Sequence, residues 1–344
     1  MIAHLDMDCF FAACEEKYNP ELKGEAVVVG ALPTDKRGVV ATANYKAREF
    51  GIHSAMPISK AYRLCPNAKF VKPTFGIYKK ESEAVMNIIR RYSPIVRQVS
   101  VDEAYFDLSH YEDNFENVAK RIQSEILTLT KLTCSIGLCE SKYVAKIASD
   151  FRKPFGITQV KNICEFLEDL PVQKMSGIGR VARARLNTCG VKTIGDLARY
   201  DTCTLLEHFG KWGLHFQRIA RGLDSTGVNV NRGIAKSVSR ERTFQEDRDI
   251  DECNEVISKL CKVLKNDLKK LNYKTVSIKI RYSNFSTITR DRSLGHHHND
   301  EGTIKKIAMS LIDKVSRDKK VRLLGIKLSN LCLKNNIQRT LLDY

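Results

Sequence analysis

The sequence predicts an α+β chain built of several domains. Three observations carry that expectation. Short apolar strands and amphipathic helices alternate through the first 164 residues, the pattern turns all-helical from Glu165, and a basic strand-and-helix segment resumes after a polar stretch. At 344 residues the chain exceeds one ordinary domain, and 43% hydrophobic residues supply core for two to four.

Ile2 to Leu5 reads as a short buried strand that runs into Asp6-Met7-Asp8. Cys9 to Glu16 leads to a turn at Asn19-Pro20, Ala26 to Val29 and Val39 to Ala43 are further buried runs, and Tyr45 to Phe50 is a short helix stopped by Gly51. Tyr78 to Tyr92 is apolar at 78, 85, 88, 89 and 92, and Phe115 to Leu129 at 115, 118, 119, 122, 126 and 129, the spacing of amphipathic helices. Between them Val96 to Ser100 and Ala104 to Leu108 form a hairpin around Asp102-Glu103. Leu132, Cys134, Ile136 and Leu138 then alternate with polar neighbours as another strand. Strand, helix, hairpin, helix, strand is the order of a ferredoxin-like sheet. On it Asp6 and Asp102-Glu103 lie on adjacent strands, so carboxylates from distant parts of the chain converge.

Past Glu165, Met175-Ser176-Gly177-Ile178-Gly179 followed by Val181 to Cys189 has the form of a helix-hairpin-helix. Gly177 and Gly179 allow a tight turn whose backbone N–H groups can face a DNA phosphate. Phe209 to Gly213 is a weaker copy. Asp224 to Ala235 is polar and glycine-rich, a linker. A helix from about Asp251 to Leu271 follows, then a strand alternating Val276, Ile278, Ile280 and Tyr282 with Thr275, Ser277, Lys279 and Arg281. A second helix holds Ile304 to Val315, and Val321 to Leu331 returns as a strand bearing Arg322 and Lys327. Such a sheet, with two helices behind it, presents basic residues to a duplex. His296-His297-His298 is expected in a loop.

Lys and Arg number 57 against 40 acidic residues, a net charge of +17 and a pI near 9.4, and most of the excess lies from Lys236 onward. A polyanionic partner, nucleic acid, is the expectation. The eleven cysteines show no C-x-x-C pair and no zinc spacing, which fits reduced thiols in a cytosolic protein. Neither a signal peptide nor a membrane span fits the pattern. The expected setting is cytoplasmic.

Asp6 with Asp102 and Glu103 makes an oxygen-only ligand set that suits Mg²⁺ or Mn²⁺. Metals held so commonly serve phosphoryl or nucleotidyl transfer. The expected role of Asp8 is structural.

Together these motifs resemble the Y-family lesion-bypass DNA polymerases, in the DinB, Pol IV and kappa branch, over essentially the whole chain. Asp6 to Phe11 resembles the family's first motif, Ala41 to Arg48 its finger motif, and Ser100 to Tyr105 its second metal motif. Ser135-Ile136-Gly137 with Ala145 to Asp150 and Lys153-Pro154 completes the palm, and Ala235 to Thr243 resembles the opening of the little finger. The resemblance implies a right-hand-like polymerase: a ferredoxin-like palm (1–10 and 74–164), small fingers (11–73), a helix-hairpin-helix thumb (165–226), a linker (227–235) and a C-terminal βα little finger (236–337).

It further implies template-directed addition of deoxynucleotides to a primer 3′-hydroxyl, at low fidelity, in translesion synthesis, with no proofreading exonuclease. Asp6, Asp102 and Glu103, with the Met7 carbonyl, would hold two Mg²⁺ ions, for which Mn²⁺ can substitute. Tyr45, Arg48 and Lys153 match triphosphate-binding positions, assisted by Cys9, Phe10 and Thr42. Phe11 matches the steric gate that excludes a 2′-hydroxyl. Gly177, Gly179, Lys236, Ser237, Arg240, Arg242, Lys279, Arg281, Arg322 and Lys327 are the expected DNA contacts. Gln338 to Tyr344 resembles a sliding-clamp peptide. The expected partners are primer-template DNA, deoxynucleoside triphosphates and a clamp, met by a monomer that is nucleoid-associated when on DNA. Two rivals stand beside this reading. A metal-dependent nuclease lacks an evident water-activating His near either motif, and a non-catalytic helix-hairpin-helix protein leaves the retained carboxylates unexplained.

Overall fold

The apolar N-terminal run becomes β1 (Ile2–Met7), a strand buried along its whole length. The computed structural model describes residues 1–112, 114–223, 227–230 and 233–334. Its contacts divide the chain into two units: Met1–Leu32 with Val39–Val230, and Pro33–Gly38 with the chain from Asn231 onward.

In the first unit β1 is followed by α1 (Phe10–Tyr18), β2 (Val27–Gly30), β3 (Val40–Ala43), α2 (Tyr45–Glu49), α3 (Ile58–Leu64) and β4 (Lys69–Val71). Next come α4 (Phe75–Tyr92), β5 (Val96–Gln98), β6 (Glu103–Asp107), α5 (Phe115–Thr130), β7 (Cys134–Cys139), α6 (Lys142–Phe151) and β8 (Ile157–Gln159). The main sheet has the order β5-β6-β1-β7-β8. Its first four strands and the two helices α4 and α5 follow the expected ferredoxin-like path. β8, which has only three residues, adds a fifth strand parallel to β7. β1 is flanked by antiparallel neighbours on both sides, so its backbone groups are paired in the ladder and every side chain is covered. The core under the sheet gathers Leu5, Phe106, Ile136 and Leu138 with Val85, Ile89, Ile122 and Ile126 from the two helices. The apolar faces read from the spacing of α4 and α5 are those buried. The small sheet β3-β2-β4 carries a separate core with Ala47, Ile52 and Ile58.

The helical stretch then holds α7 (Ile163–Leu167), α8 (Arg180–Thr188), α9 (Ile194–Arg199) and α10 (Thr202–Ala220). Thr193 caps α9 in a capping box with Asp196. α10 turns sharply at Gly210, whose φ of 59° falls inside the expected second hairpin copy.

The second unit contains β9 (Ser237–Arg248), α11 (Asn254–Leu268), β10 (Leu271–Tyr282), β11 (Thr287–His298), α12 (Glu301–Ile312), β12 (Val321–Ser329) and the short β13 (Cys332–Leu333). The sheet order is β11-β10-β12-β9, with α11 and α12 packed on one face. The histidine run closes β11 instead of forming a loop, with the His296 and His298 rings stacked 4.4 Å apart. Pro33–Gly38, read from sequence as part of the fingers, packs with this unit. Arg37 Nη1 donates to the Phe244 carbonyl at 3.0 Å and meets Asp247 at 2.8 Å. Among the described residues no helix is long and apolar enough to cross a membrane.

Candidate active site

Strand pairing alone brings the acidic motifs together. Asp6 on β1 is the cross-strand partner of Glu103 on β6 and of Ser135 on β7, and the Met7 N–H donates to the Asp102 carbonyl at 3.0 Å. Asp102 precedes β6 in a tight turn. There Ser100 Oγ donates to Asp102 Oδ1 at 2.5 Å and accepts the Glu103 N–H at 3.0 Å.

Each carboxylate is engaged. Lys153 Nζ is 2.6 Å from Asp6 Oδ1 and 3.0 Å from Asp150, and Lys146 Nζ is 2.6 Å from Glu103 Oε2. Burial pushes the Asp6 carboxyl up to about 7, against the pull of Lys153. The His4 ring that faces Glu103 draws it down to about 2, with Lys146 adding to the pull against burial. Burial opposes the Lys153 charge, but Asp6 and Asp150 outweigh it and raise that ammonium. Adjacent carboxyls pushed apart in this way are characteristic of a site rather than of a solvated surface.

Among the described residues no three ligating side chains converge on one point as they stand. The donor chemistry nonetheless fits a hard divalent cation. Three carboxylate groups lie at one end of β1 and β6, and the two that are ion-paired are balanced by lysines whose positive charge a metal would replace.

Asp8 follows the end of β1 and is almost wholly buried, with partners of its own. Its carboxylate accepts from Ser135 Oγ at 2.9 Å, the Phe155 N–H at 2.9 Å and the Tyr45 hydroxyl at 3.4 Å. That is a structural clamp joining α2 to the loop after Lys153. It sets Tyr45 at the start of α2, where the Arg48 guanidinium covers the Tyr45 ring at 4.9 Å and Arg48 Nε donates to the Ala43 carbonyl. Thr42 lies half-buried on β3. Cys9, in the left-handed region at φ 38°, starts α1, and burial pushes its thiol up to about 12. Phe10 is core. Phe11, one position on, stacks on Tyr78 at 4.2 Å with the rings 9° apart and meets Phe75 edge-on.

Of the expected DNA contacts, Gly177 has φ 102°, and a Cβ there would press on Phe216 at 3.2 Å. Gly179 caps α8. In the second unit Lys236 and Ser237 are exposed at the start of β9. Register places Lys279, Lys327 and Arg281 on the open face of the sheet, where Lys279 pairs with Glu241 at 2.7 Å. Arg240 and Arg242 stand opposite Ile326 and Leu324, so alternation sends them to the helix side, where Arg240 meets Asp267 of α11 at 2.7 Å. Arg322 covers the Phe285 ring at 4.5 Å. Gln338 to Tyr344 and the linker positions 224–226 and 231–232 lie outside the described residues.

Sequence reasoning missed His4. It sits two residues before Asp6 and is wholly buried, so it is not a water-activating base. Burial both shields it from water and lowers it below its ordinary value. The signal was available: a histidine inside an otherwise apolar strand, on the same face as Asp6.

The chain has relatives among known families, proteins and structures. Residues 5–150 match the impB/mucB/samB family and residues 235–341 its C-terminal domain. The chain is 41% identical to DNA polymerase IV of Clostridioides difficile strain 630, over 100% of this chain and 97% of that one. It is 42% identical to DNA polymerase IV of Clostridium perfringens strain 13, over 96% and 94%. Among solved structures it is similar to a Y-family DNA polymerase chimera of Dbh and Dpo4 (TM-score 0.88, 29% identity, 96% of this chain and 99% of that one). It is also similar to an insertion ternary complex of Dbh DNA polymerase (TM-score 0.67, 29% identity, the same coverage).

Proposed function

Because the chain belongs to the impB/mucB/samB family, we infer that it is a template-directed, Y-family DNA polymerase acting in translesion synthesis. It adds deoxynucleotides to a primer 3′-hydroxyl with a divalent metal requirement. The observation that carries the assignment of the site is the pairing of Asp6 with Glu103 on adjacent strands, with Asp102 in the turn just before β6 and Lys153 bonded to Asp6.

In this reading Asp6, Asp102, Glu103 and the Met7 carbonyl hold two Mg²⁺ ions, with Mn²⁺ able to substitute. When bound, such ions lower the pKa of the attacking hydroxyl and neutralise the triphosphate. Lys153, Arg48 and Tyr45 bind the triphosphate oxygens, Arg48 by its planar fork. Lys153 is within one side chain's reach of both tasks, since it already neutralises Asp6. Asp8 keeps Tyr45 and the Lys153 loop in register. Phe11, backed by Tyr78, lies under the sugar and excludes a 2′-hydroxyl, and Cys9, Phe10 and Thr42 shape the same wall. Gly177 and Gly179 offer backbone N–H groups to a DNA phosphate. Lys236, Ser237, Lys279, Arg281 and Lys327 meet the duplex backbone on one face; Arg240 and Arg242, on the helix side, do not join it. Gln338 to Tyr344 docks on a sliding clamp. In this reading synthesis is of low fidelity and without proofreading.

The test is single-nucleotide addition to a 5′-labelled primer on a longer template with Mg²⁺, beside the Asp102→Ala variant. Template-directed addition by the wild type, lost in the variant, is expected. Shortened primer would replace this reading with a nuclease, and tight DNA binding without turnover with a binding module.

A further inference from the structure

His4 shares a face of β1 with Asp6 and lies opposite Tyr105, whose ring centre is 4.6 Å from its own. Its two ring nitrogens differ. Nδ1 is 2.8 Å from Ser149 Oγ on α6. Nε2 is buried without a hydrogen bond among the described residues and faces Glu103 Oε2 at 3.6 Å. A buried ring nitrogen aimed at a carboxylate has two very different energies, depending on whether it carries the proton.

Glu103 decides between them, and Ser149 accommodates either. Ser149 Oγ donates to the Lys146 carbonyl oxygen at 2.8 Å and lies 2.8 Å from His4 Nδ1, to which its single proton can turn instead. With that proton given to Nδ1, the ring's own proton sits on Nε2 and points at Glu103. The other tautomer would set a lone pair against a carboxylate oxygen inside the protein. Lys146 Nζ reaches the same Oε2 at 2.6 Å. Both contacts therefore fall on one oxygen of Glu103, which fixes the rotation of the carboxylate and leaves Oε1 clear of both.

We propose that His4, oriented by Ser149, is a positioning residue that pins Glu103 Oε2 so that Oε1 is presented to a divalent cation. The inference rests on the assignment of Asp6, Asp102 and Glu103 as the metal carboxylates. Partners of this outer kind change metal affinity or activity by roughly 10- to 100-fold when removed.

The experiment measures Mn²⁺ affinity from the free-ion electron paramagnetic resonance signal. It uses the full chain with a dideoxy-terminated primer-template and the next nucleotide. His4→Phe, which keeps a ring against Tyr105, is expected to weaken Mn²⁺ binding by about tenfold or more. Ser149→Ala shifts it in the same direction, and His4→Gln, whose amide N–H can replace Nε2–H, regains the larger part of the loss. A merely structural role would lower thermal stability and leave Mn²⁺ affinity at the wild-type value; that result in His4→Phe and Ser149→Ala overturns the proposal. Should His4→Phe fail to fold, Ser149→Ala and His4→Gln decide by the same criterion. Asp102→Ala separates the two levels. Unchanged Mn²⁺ binding there refutes the metal assignment itself, whereas binding lost there but intact in His4→Phe refutes only the role of His4.

Discussion

Replacing Gly137 by alanine tests how closely the sheet and the active-site helix are pressed together. Gly137 lies on β7 beneath α6, and a Cβ built on it would stand 2.0 Å from the Ala145 carbonyl oxygen, 2.4 Å from the Ser149 nitrogen and 2.9 Å from the Ala148 carbonyl carbon. All three are backbone atoms, so no side chain can swing aside. Ordinary contact begins at 3.4 Å, and restoring it against the Ala145 oxygen alone requires α6 to withdraw by about 1.4 Å. Overpacking of this kind costs about 3 kcal/mol, the upper part of the usual range, because the backbone must yield. For a unit of this size that lowers Tm by roughly 6–12 °C. α6 bears Lys146 and Ser149 and leads directly to Lys153, so the same shift moves the groups that hold Glu103 and Asp6. A displacement near 1 Å at a reacting centre costs on the order of 100-fold in rate. The assays are thermal unfolding of the full chain and single-turnover nucleotide addition. A Gly137→Ala protein with wild-type Tm and rate refutes the packing argument. A lowered Tm with an intact rate refutes only the link from α6 to the site.

Phe11→Ala is expected to raise ribonucleotide incorporation relative to deoxynucleotide by at least about tenfold in single-addition assays, and unchanged sugar discrimination would remove the gate from Phe11. Mg²⁺ dependence should follow the Asp6 carboxyl, which burial raises to about 7. Only its ionised form binds the metal, so half-saturating Mg²⁺ falls by about tenfold between about pH 6 and pH 8, and a flat profile contradicts the assignment. DNA affinity is expected to fall steeply with salt, and Lys327→Ala to weaken binding across all sequences while reducing the log–log salt slope by about 1. An unchanged slope in a titration of labelled duplex takes Lys327 off the DNA face.

The sequence made the carboxylate pairing legible because both motifs adjoin runs with strong apolar character, and a strand pair fixes register once one face is buried. It made α4 and α5 legible through their spacing. The short β8 was invisible, since three residues carry no period and its place depends on β7. The faces of β9 were also hidden: it is an edge strand exposed along most of its length, so no apolar alternation marks which side Arg240 and Arg242 take. The attachment of Pro33–Gly38 to the second unit is a tertiary fact made by Arg37, and nothing local announces it. His4 was legible as an anomaly but not as a partner of Glu103, because Tyr105 and Ser149, which set its ring, come from distant segments.

The clamp at Asp8 carries a consequence for how the protein reaches competence. One carboxylate ties together segments separated by 37, 127 and 147 residues along the chain. Closing such long loops has an entropic cost that local contacts do not repay in advance. The Tyr45 contact to Asp8 is therefore expected to form among the last events of folding, and to be lost with any sub-global opening that frees one of the three segments. Hydrogen-exchange protection of the Phe155 amide should therefore track the onset of activity during refolding.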